Sequence, residues 1–428
     1  MTTPLRLGIA GLGTVGIGVV KIVQRHADLL ALRAGRPVTI AAVSAHSRTK
    51  NRSADVSAYA WEDDAVALAA RDDVDVVVEL VGGDNGPAKA LVEAALRNGK
   101  DVVTANKALL AHHGHALATL AERNGRALRF EAAVAGGIPV IKAMIEGMAG
   151  NQIRRVMGVM NGTCNYILTR MESAGLPYET VFDEAKQLGY LEADPNLDVG
   201  GIDAGHKLSI LSAIAFGTKV DFDAVVLQGI GAISIDDIRL ARDMGYSIKL
   251  LGVTQMTGRG LEQRMTPCLV PGTHPLGQLD GGTNMVVIEG DSVGQIVLRG
   301  AGAGEGPTAS AVMADVMDIA RGLSFPTFGQ PVGSLTEAPA AAVSTGASWY
   351  LRMVLLDKPG ALAKIATILG NVGVSIDRMR QYSHDNAHAP VLIVTHKASS
   401  DDIALAMEHF NQSGVVVGAP MALRIEDV

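Results

Sequence analysis

Residues 5–16, LRLGIAGLGTVG, decide how the rest of this chain is read. Leu5 to Ala10 predicts a short buried strand and Thr14 to about Ala34 a helix, so Gly11, Gly13 and Gly16 fall at the turn between them. Lack of a side chain serves a different purpose at each: a sharp bend at Gly11, backbone N–H groups open to a pyrophosphate at Gly13, and close helix–strand packing at Gly16. The first helical residues, Thr14 and Val15, present the positive end of the helix to the same anion. Alone, such spacing is a weak sign, and its bland alternative is a tight turn that binds nothing. Between a strand and a helix, it predicts a nicotinamide dinucleotide site and so a dehydrogenase.

Working outward, Val38–Ser44, Val74–Leu80, Asp101–Thr104 and Ala127–Ala132 read as further strands, with a helix starting near Pro87. This alternation predicts an α/β protein whose doubly wound parallel Rossmann sheet occupies residues 1–136. Longer helices follow, Tyr178–Gly189 and Asp203–Phe216, with β-rich stretches IKLLGVTQM, NMVVIEG and GQIVLRG. They predict a second, α+β domain with a mixed sheet over 137–301. The alanine- and glycine-rich segment 338–347 reads as a linker, and residues 348–428 show a βαββαβ, ferredoxin-like order.

A chain of 428 residues exceeds one hydrophobic core, which suits two or three domains. The net charge of −7 is mild and no basic run alternates with aromatics, so nucleic acid and membrane surfaces are excluded as expected partners in favour of a small molecule. Cys164 and Cys268 lie outside any CxxC spacing, which argues against a disulfide framework or structural zinc and for a reducing cytoplasm. Lys142 and Glu146 interrupt the longest apolar stretches and the N-terminus lacks a signal-peptide pattern, so the expectation is a soluble protein.

At the end of the second strand, Ser44 and Ala45 stand where an acid would bind a ribose 2′-hydroxyl, and Arg48, Lys50 and Arg52 follow. Cations there suit a 2′-phosphate, which favours NADP over NAD; the bland alternative is a solvated basic loop. Thr104-Ala105-Asn106-Lys107 follows a strand on the side where parallel sheets bind ligands, so Lys107 is placed to reach cofactor or substrate unless it is a plain surface lysine. Further on, Asp203 and Lys207 lie four apart on one helical face. A lysine beside a carboxylate is a proton donor for a carbonyl oxygen as hydride arrives at its carbon. Dry surroundings lower its pKa and the carboxylate raises it. The competing reading is an exposed i,i+4 salt bridge, worth roughly a few tenths of a kcal/mol. His112, His113 and His115 lack an acid or cysteine at ligand spacing, so they read as a solvated helix face rather than a metal site.

Taken together, GLGTVG, TANK (104–107), EAAVAGGIP (131–139), NGTCNYIL (161–168), LGYLEADPNLDVGGIDAGHKL (188–208) and GAGAGEGPTAS (300–310) carry a specific resemblance. Over essentially its whole length the chain resembles homoserine dehydrogenase in the long monofunctional form with a C-terminal ACT domain. That resemblance implies reversible NAD(P)-dependent interconversion of L-homoserine and L-aspartate 4-semialdehyde, on the route to threonine, methionine and isoleucine. It further implies Lys207 as general acid/base, Asp203 orienting it or binding substrate, Glu192 holding the substrate amino group with Asp198 in support, and Lys107 between cofactor and substrate. Backbone carbonyls of Glu131, Val134, Gly136 and Ile138 would bind a monovalent cation such as Na⁺, and Gly302 and Gly304 would return to the cofactor. A homodimer or homotetramer is the implied assembly, with 137–301 as the substrate-binding, catalytic and dimerisation domain and 302–340 completing the Rossmann domain. Leu191, where a smaller residue is expected, and VSAHSRTK after the second strand depart from the family pattern.

Asp357-Lys-Pro-Gly360 and Gly370-Asn371 through Ile376 resemble the ACT ligand turn, which implies feedback inhibition by L-threonine. The alternative is an oligomerisation module without a ligand. Removal of everything after about residue 345 is expected to abolish threonine sensitivity and spare turnover. Two rival functions are an aspartate semialdehyde dehydrogenase, for which Cys164 is the available thioester nucleophile, and a silent amino-acid sensor, against which Glu192, Asp203 and Lys207 weigh.

Overall fold

A computed structural model describes residues 3–192, 194–341, 345–382 and 387–428. Strands β1 (Leu5–Ala10), β2 (Val38–Ser44), β3 (Ala60–Glu62), β4 (Val76–Glu79), β5 (Asp101–Thr104) and β6 (Leu128–Arg129) form one sheet in the order β3-β2-β1-β4-β5-β6. Every pairing in it is parallel. Leu7, Ile9, Val76, Val77, Val78, Val102 and Val103 are fully buried, as expected of central strands covered on both faces. The strand order reverses between β1 and β4, which opens a crevice beyond their carboxyl ends.

Two local expectations change. The first helix is two, Thr14–Arg25 and Ala27–Ala34, broken at His26. After Val23 the next buried residue is Leu30, so nothing anchors the intervening turn to the sheet. The last strand shrinks to Leu128–Arg129 because Glu131–Ala133 winds into a 3₁₀ turn. Far along the chain, helix Glu305–Ala320 packs beside Thr14–Arg25 in the same core, and Lys21 Nζ lies 2.7 Å from Glu305 Oε1.

The second sheet contains β7 (Ile153–Val159), β8 (Val226–Leu227), β9 (Tyr246–Thr257), β10 (Gly260–Pro271), β11 (Thr283–Gly290), β12 (Gly294–Ala301), β13 (Ser348–Leu356), β14 (Ile376–Gln381), β15 (His388–Thr395) and β16 (Val416–Ile425). Its order is β12-β11-β7-β9-β10-β16-β13-β15-β14, with β8 also on β10. Helix Ile202–Phe216 is buried from Asp203 to Ala213 and packs on β7, β9 and β10. No helix among the described residues is long and apolar enough to cross a membrane.

The expected linker segment and the third unit are both joined to this sheet. The last strand of the βαββαβ unit, β16, pairs in parallel with β10 through Cys268 with Arg424 and Leu269 with Ile425. Within segment 338–347, Leu261 donates its N–H to Pro339 and accepts from Ala341 (2.9 and 3.0 Å), so this part is strapped to β10; 342–344 lie outside the described residues. Buried Glu426 ties the seam, accepting from Arg264 Nη2 at 2.5 Å and from Arg155, while Arg264 Nε reaches Glu262 at 3.0 Å. Truncation at 345 would therefore strip a catalytic strand of its neighbour, not merely remove an appendage. Glu426→Ala leaves Arg264 buried with one acid fewer. It is expected to cost about 3 kcal/mol and lower Tm by about 5 °C or more in a thermal melt, and an unchanged Tm would contradict this account of the seam.

Candidate active site

The two sheets meet at a cleft of about 580 Å³ beyond the carboxyl end of the parallel sheet. On one wall stands the glycine turn. At Gly11 (φ +97) a Cβ would lie 2.4 Å from the Leu80 carbonyl oxygen, and at Gly16 it would lie 1.9 Å from that of Gly11, so packing demands both. Gly13 instead faces open space, with nothing within 4 Å of its Cβ position. The helix it starts has no side-chain cap and no acid in its first turn, leaving free N–H groups at Thr14 and Val15 for an anion. A pyrophosphate fits this cradle.

Beside it, Glu79 is buried at the end of β4 and accepts from Val81 and Gly82 N–H at 2.7 and 3.0 Å. Thr104 Oγ1 donates to Glu79 at 2.6 Å and accepts from Asn106 N–H at 3.0 Å, so this hydroxyl braces the corner and does not face the cleft. Asn106 caps the next helix through Leu109 N–H (3.1 Å) and donates to the Gly83 carbonyl (2.7 Å), which brings Lys107 to the cleft.

The opposite wall centres on Asp203, in the first turn of Ile202–Phe216 and 7% exposed. Lys207 Nζ donates to Asp203 Oδ2 at 2.6 Å and to the Met160 carbonyl at 2.9 Å; Lys107 Nζ is 3.0 Å from Oδ1. Asn161 caps helix Gly162–Ala174 through Cys164 N–H (2.8 Å) and turns its Nδ2 to Asp198 Oδ1 (3.0 Å) and Asp203 Oδ2 (3.3 Å). Asp198 Oδ2 in turn accepts the N–H of Glu192 at 3.0 Å, and Glu192 lines the cleft. Burial pushes the Asp203 carboxyl up, but Lys207 and Lys107 outweigh it and hold the group well below the usual carboxylate range. Burial likewise opposes the charge on Lys107, and Asp203, with Glu192 and Asp198, overcomes it to leave that pKa raised. Two of three Lys207 N–H groups are engaged, leaving one for a substrate oxygen.

Loop 301–304 closes the cleft: a Cβ on Gly136 would lie 2.4 Å from the Gly302 carbonyl oxygen, and Gly304 has φ +121. Glu131 does not line this cleft. Its carboxylate accepts from Ile141 and Lys142 N–H at 2.9 and 2.8 Å, and burial with the neighbouring Asp315 pushes it up to about 7. Ala135 (φ 55) and Gly136 (φ 51) are both left-handed, and Ala135 is the sole non-glycine residue with positive φ among those described. Arg48 and Lys50 sit apart, exposed in a second cleft of about 690 Å³ past the end of β2. There Arg48 and Arg52 lie 5.8 and 5.5 Å from the Trp61 ring, and Arg52 braces the loop through the Ser47 and Lys50 carbonyls (2.5 and 3.0 Å).

Cys164 is fully buried, its thiol donating to the Asp198 carbonyl at 3.2 Å, and burial pushes its pKa well up, so no thiolate nucleophile is available. Among the histidines, His112 stacks edge-on with His206 and Phe222, both at 5.4 Å. Sequence reasoning passed over Asn161, whose signal was a helix-capping Asn opening NGTCNYIL. The Met160 carbonyl, which belongs to no side chain, had no signal at all.

A lysine able to carry an alcohol's proton, facing an anion-ready dinucleotide turn, defines an NAD(P)-dependent oxidoreductase acting on a CH–OH group. Family models for homoserine dehydrogenase, the homoserine dehydrogenase NAD binding domain and the ACT domain match residues 139–317, 11–131 and 349–414. Homoserine dehydrogenase of Neisseria gonorrhoeae is 44% identical over 414 residues, 94% of each chain. The crystal structure of a homoserine dehydrogenase from Thiobacillus denitrificans superposes with a TM-score of 0.94 at 38% identity, covering 99% of both chains. A hyperthermophilic archaeal homoserine dehydrogenase in complex with NADPH gives a TM-score of 0.65 at 25% identity, over 76% of this chain and 100% of its own. The chain belongs to the homoserine dehydrogenase family, in the form that carries an ACT domain. Neither a thioester-forming enzyme nor a silent sensor survives as a reading.

Acidification is expected to unsettle the wall that holds Lys207. Burial, with His112 nearby, lowers the His206 imidazole to about 4 from 6.5, so the folded state prefers it neutral. This contribution is fully present above the unfolded value and is lost as pH falls from about 6.5 toward 4, at most roughly 3 kcal/mol in all. Urea unfolding of His206→Gln between pH 7 and 4.5 should show a flatter loss than the native chain, and parallel curves would refute it.

Proposed function

We propose that this chain catalyses the reversible NAD(P)H-dependent reduction of L-aspartate 4-semialdehyde to L-homoserine, a step toward threonine, methionine and isoleucine. The observation carrying the reading is Asp203, one carboxylate that gathers Lys207 and Lys107 at a single cleft beside the dinucleotide turn. A bound reduced nicotinamide supplies hydride to the aldehyde carbon. Lys207, oriented by Asp203 and the Met160 carbonyl, gives a proton to the aldehyde oxygen and takes it back from the alcohol in reverse. Glu192, with Asp198 behind it, receives the substrate ammonium, and Lys107 stands between substrate and cofactor. Water is kept from the proton-carrying pair by burial of both partners.

The family's cation, Na⁺ or a similar ion, takes the carbonyls of Glu131, Val134, Gly136 and Ile138. Left-handed Ala135 beside Gly136 supports this, since that conformation costs a non-glycine residue about 1–3 kcal/mol that a bound ion would offset. Gly11, Gly13, Thr14, Val15, Gly16, Gly302 and Gly304 hold the cofactor, with Arg48 and Lys50 taking the 2′-phosphate of NADP. L-threonine is the effector at the turn of Asp357, Gly360 and Asn371, in a homodimer or homotetramer.

A spectrophotometric assay with L-homoserine and NADP or NAD, with and without L-threonine, tests substrate, cofactor and regulation together; no turnover with either cofactor would end the reading. Lys207→Ala should lower kcat by about 10²- to 10⁴-fold while cofactor binding persists, and a mild effect would remove Lys207 from proton transfer. Arg48→Ala combined with Lys50→Ala should raise KM for NADP about tenfold and leave KM for NAD unmoved, whereas equal shifts would dissociate these cations from the 2′-phosphate.

A further inference from the structure

Asn284, at the start of β11, lines the cleft and is 1% exposed. Its Oδ1 is buried without a hydrogen-bond partner, and its amide makes no side-chain bond to any described residue. A buried polar group left unpaired is costly, and the other amides that build this cleft are paired: Asn106 and Asn161 each use both amide atoms. The position is also specific. Across the hairpin Asn284 faces Gly300, and a Cβ on Gly302 would come within 2.1 Å of its amide, so the glycine of the closing loop makes room for it. That loop leads into helix Glu305–Ala320, whose first residue lies against the glycine-turn helix: a Cβ on Gly18 would be 2.7 Å from the Glu305 carbonyl oxygen. Asn284 thus sits on the cleft wall that adjoins the dinucleotide turn.

We propose that Asn284 binds the carboxamide of the nicotinamide ring, its Oδ1 accepting a carboxamide N–H and its Nδ2 donating to the carboxamide oxygen. The inference rests on the nicotinamide reading of the cleft. The chemistry separates the candidate ligand groups: a substrate ammonium offers donors alone and leaves Nδ2 unpaired, while a substrate carboxylate offers acceptors alone and leaves Oδ1 unpaired. A primary amide offers both. The charged ends of an amino-acid substrate moreover have Glu192, Asp198 and the lysines to meet them. Paired in this way, Asn284 sets the rotation of the ring.

The test is a fluorescence titration of the full chain with the reduced cofactor and with its 3-acetylpyridine analogue, in which a methyl replaces the amide nitrogen. The native protein should bind the carboxamide form about tenfold more tightly, and Asn284→Ala should lose that preference, weakening the carboxamide form about tenfold and the analogue less than twofold. Asn284→Asp, which keeps the shape and removes the donor, should also weaken the carboxamide form. Equal loss for both ligands in Asn284→Ala, or unchanged binding with a raised KM for L-homoserine, would overturn the proposal. So would equal affinity of the native protein for the two ligands, a result that needs no variant to fold. If the native protein binds neither ligand, the nicotinamide reading itself fails.

Discussion

A carboxylate bonded to two lysines from different layers of the molecule holds this site together. Asp203 is buried, and an isolated charge in such surroundings is costly, so its ionised state depends on Lys207 from its own helix and Lys107 from the helix after β5. The dependence runs both ways, since Asp203 accepts from each lysine, with the Met160 carbonyl as a second acceptor for Lys207. A helix start at Ile202 and another at Lys107 therefore have to arrive at one point: Asn106 caps the second, and Asn161, which caps helix Gly162–Ala174, donates to Asp203 in the first. A cluster of this kind is poor economy for stability alone, where apolar side chains of similar volume commonly serve as well. What it provides is a fixed amine at a defined place in the cleft that Thr14 and Val15 also line.

Much of this was legible along the chain wherever the information is local. Strand, glycine turn and helix at 5–16 are consecutive, and the Asp203–Lys207 pair lies within one helical turn. Legibility ended where partners are distant. Lys107 sits about a hundred residues before Asp203, and only the cap at Asn106 and the resulting helix geometry unite them. Thr104 has a sound sequence position at the end of a strand, yet its hydroxyl is consumed by buried Glu79, whose presence in an apolar run gave no hint of that bond. The parallel pairing of β10 with β16 involves two residues on each strand, too few to leave a pattern in either segment. The break at His26 reflects lack of a buried anchor, which becomes visible once the sheet is in place.

Arg48 and Lys50 occupy a cleft separate from that of Lys207, with Thr14 and Val15 lining the latter. Such separation suits an elongated ligand whose ends meet different chemistry, a basic loop at one and a buried lysine–carboxylate cluster at the other. The ACT unit is likewise joined to the catalytic half by more than proximity. β10 lies between β9, on which the Lys207 helix packs, and β16 of the ACT unit, so the two halves share one hydrogen-bonded surface. A change in the packing of β13–β16 acts on a sheet rather than on a tether.

The seam also bears on how the chain comes into being. β16 and Glu426 are synthesised after every catalytic strand, so while the chain is being made the Cys268–Leu269 stretch of β10 has no outer neighbour and Arg264 has Glu262 but lacks Glu426. A growing chain thus carries an exposed edge, the feature most prone to pairing with another molecule, until its regulatory unit has been translated and has folded back. The order of synthesis acts as a quality check: a catalytic half without its regulator stays incomplete, and is the form most open to aggregation and to proteolysis.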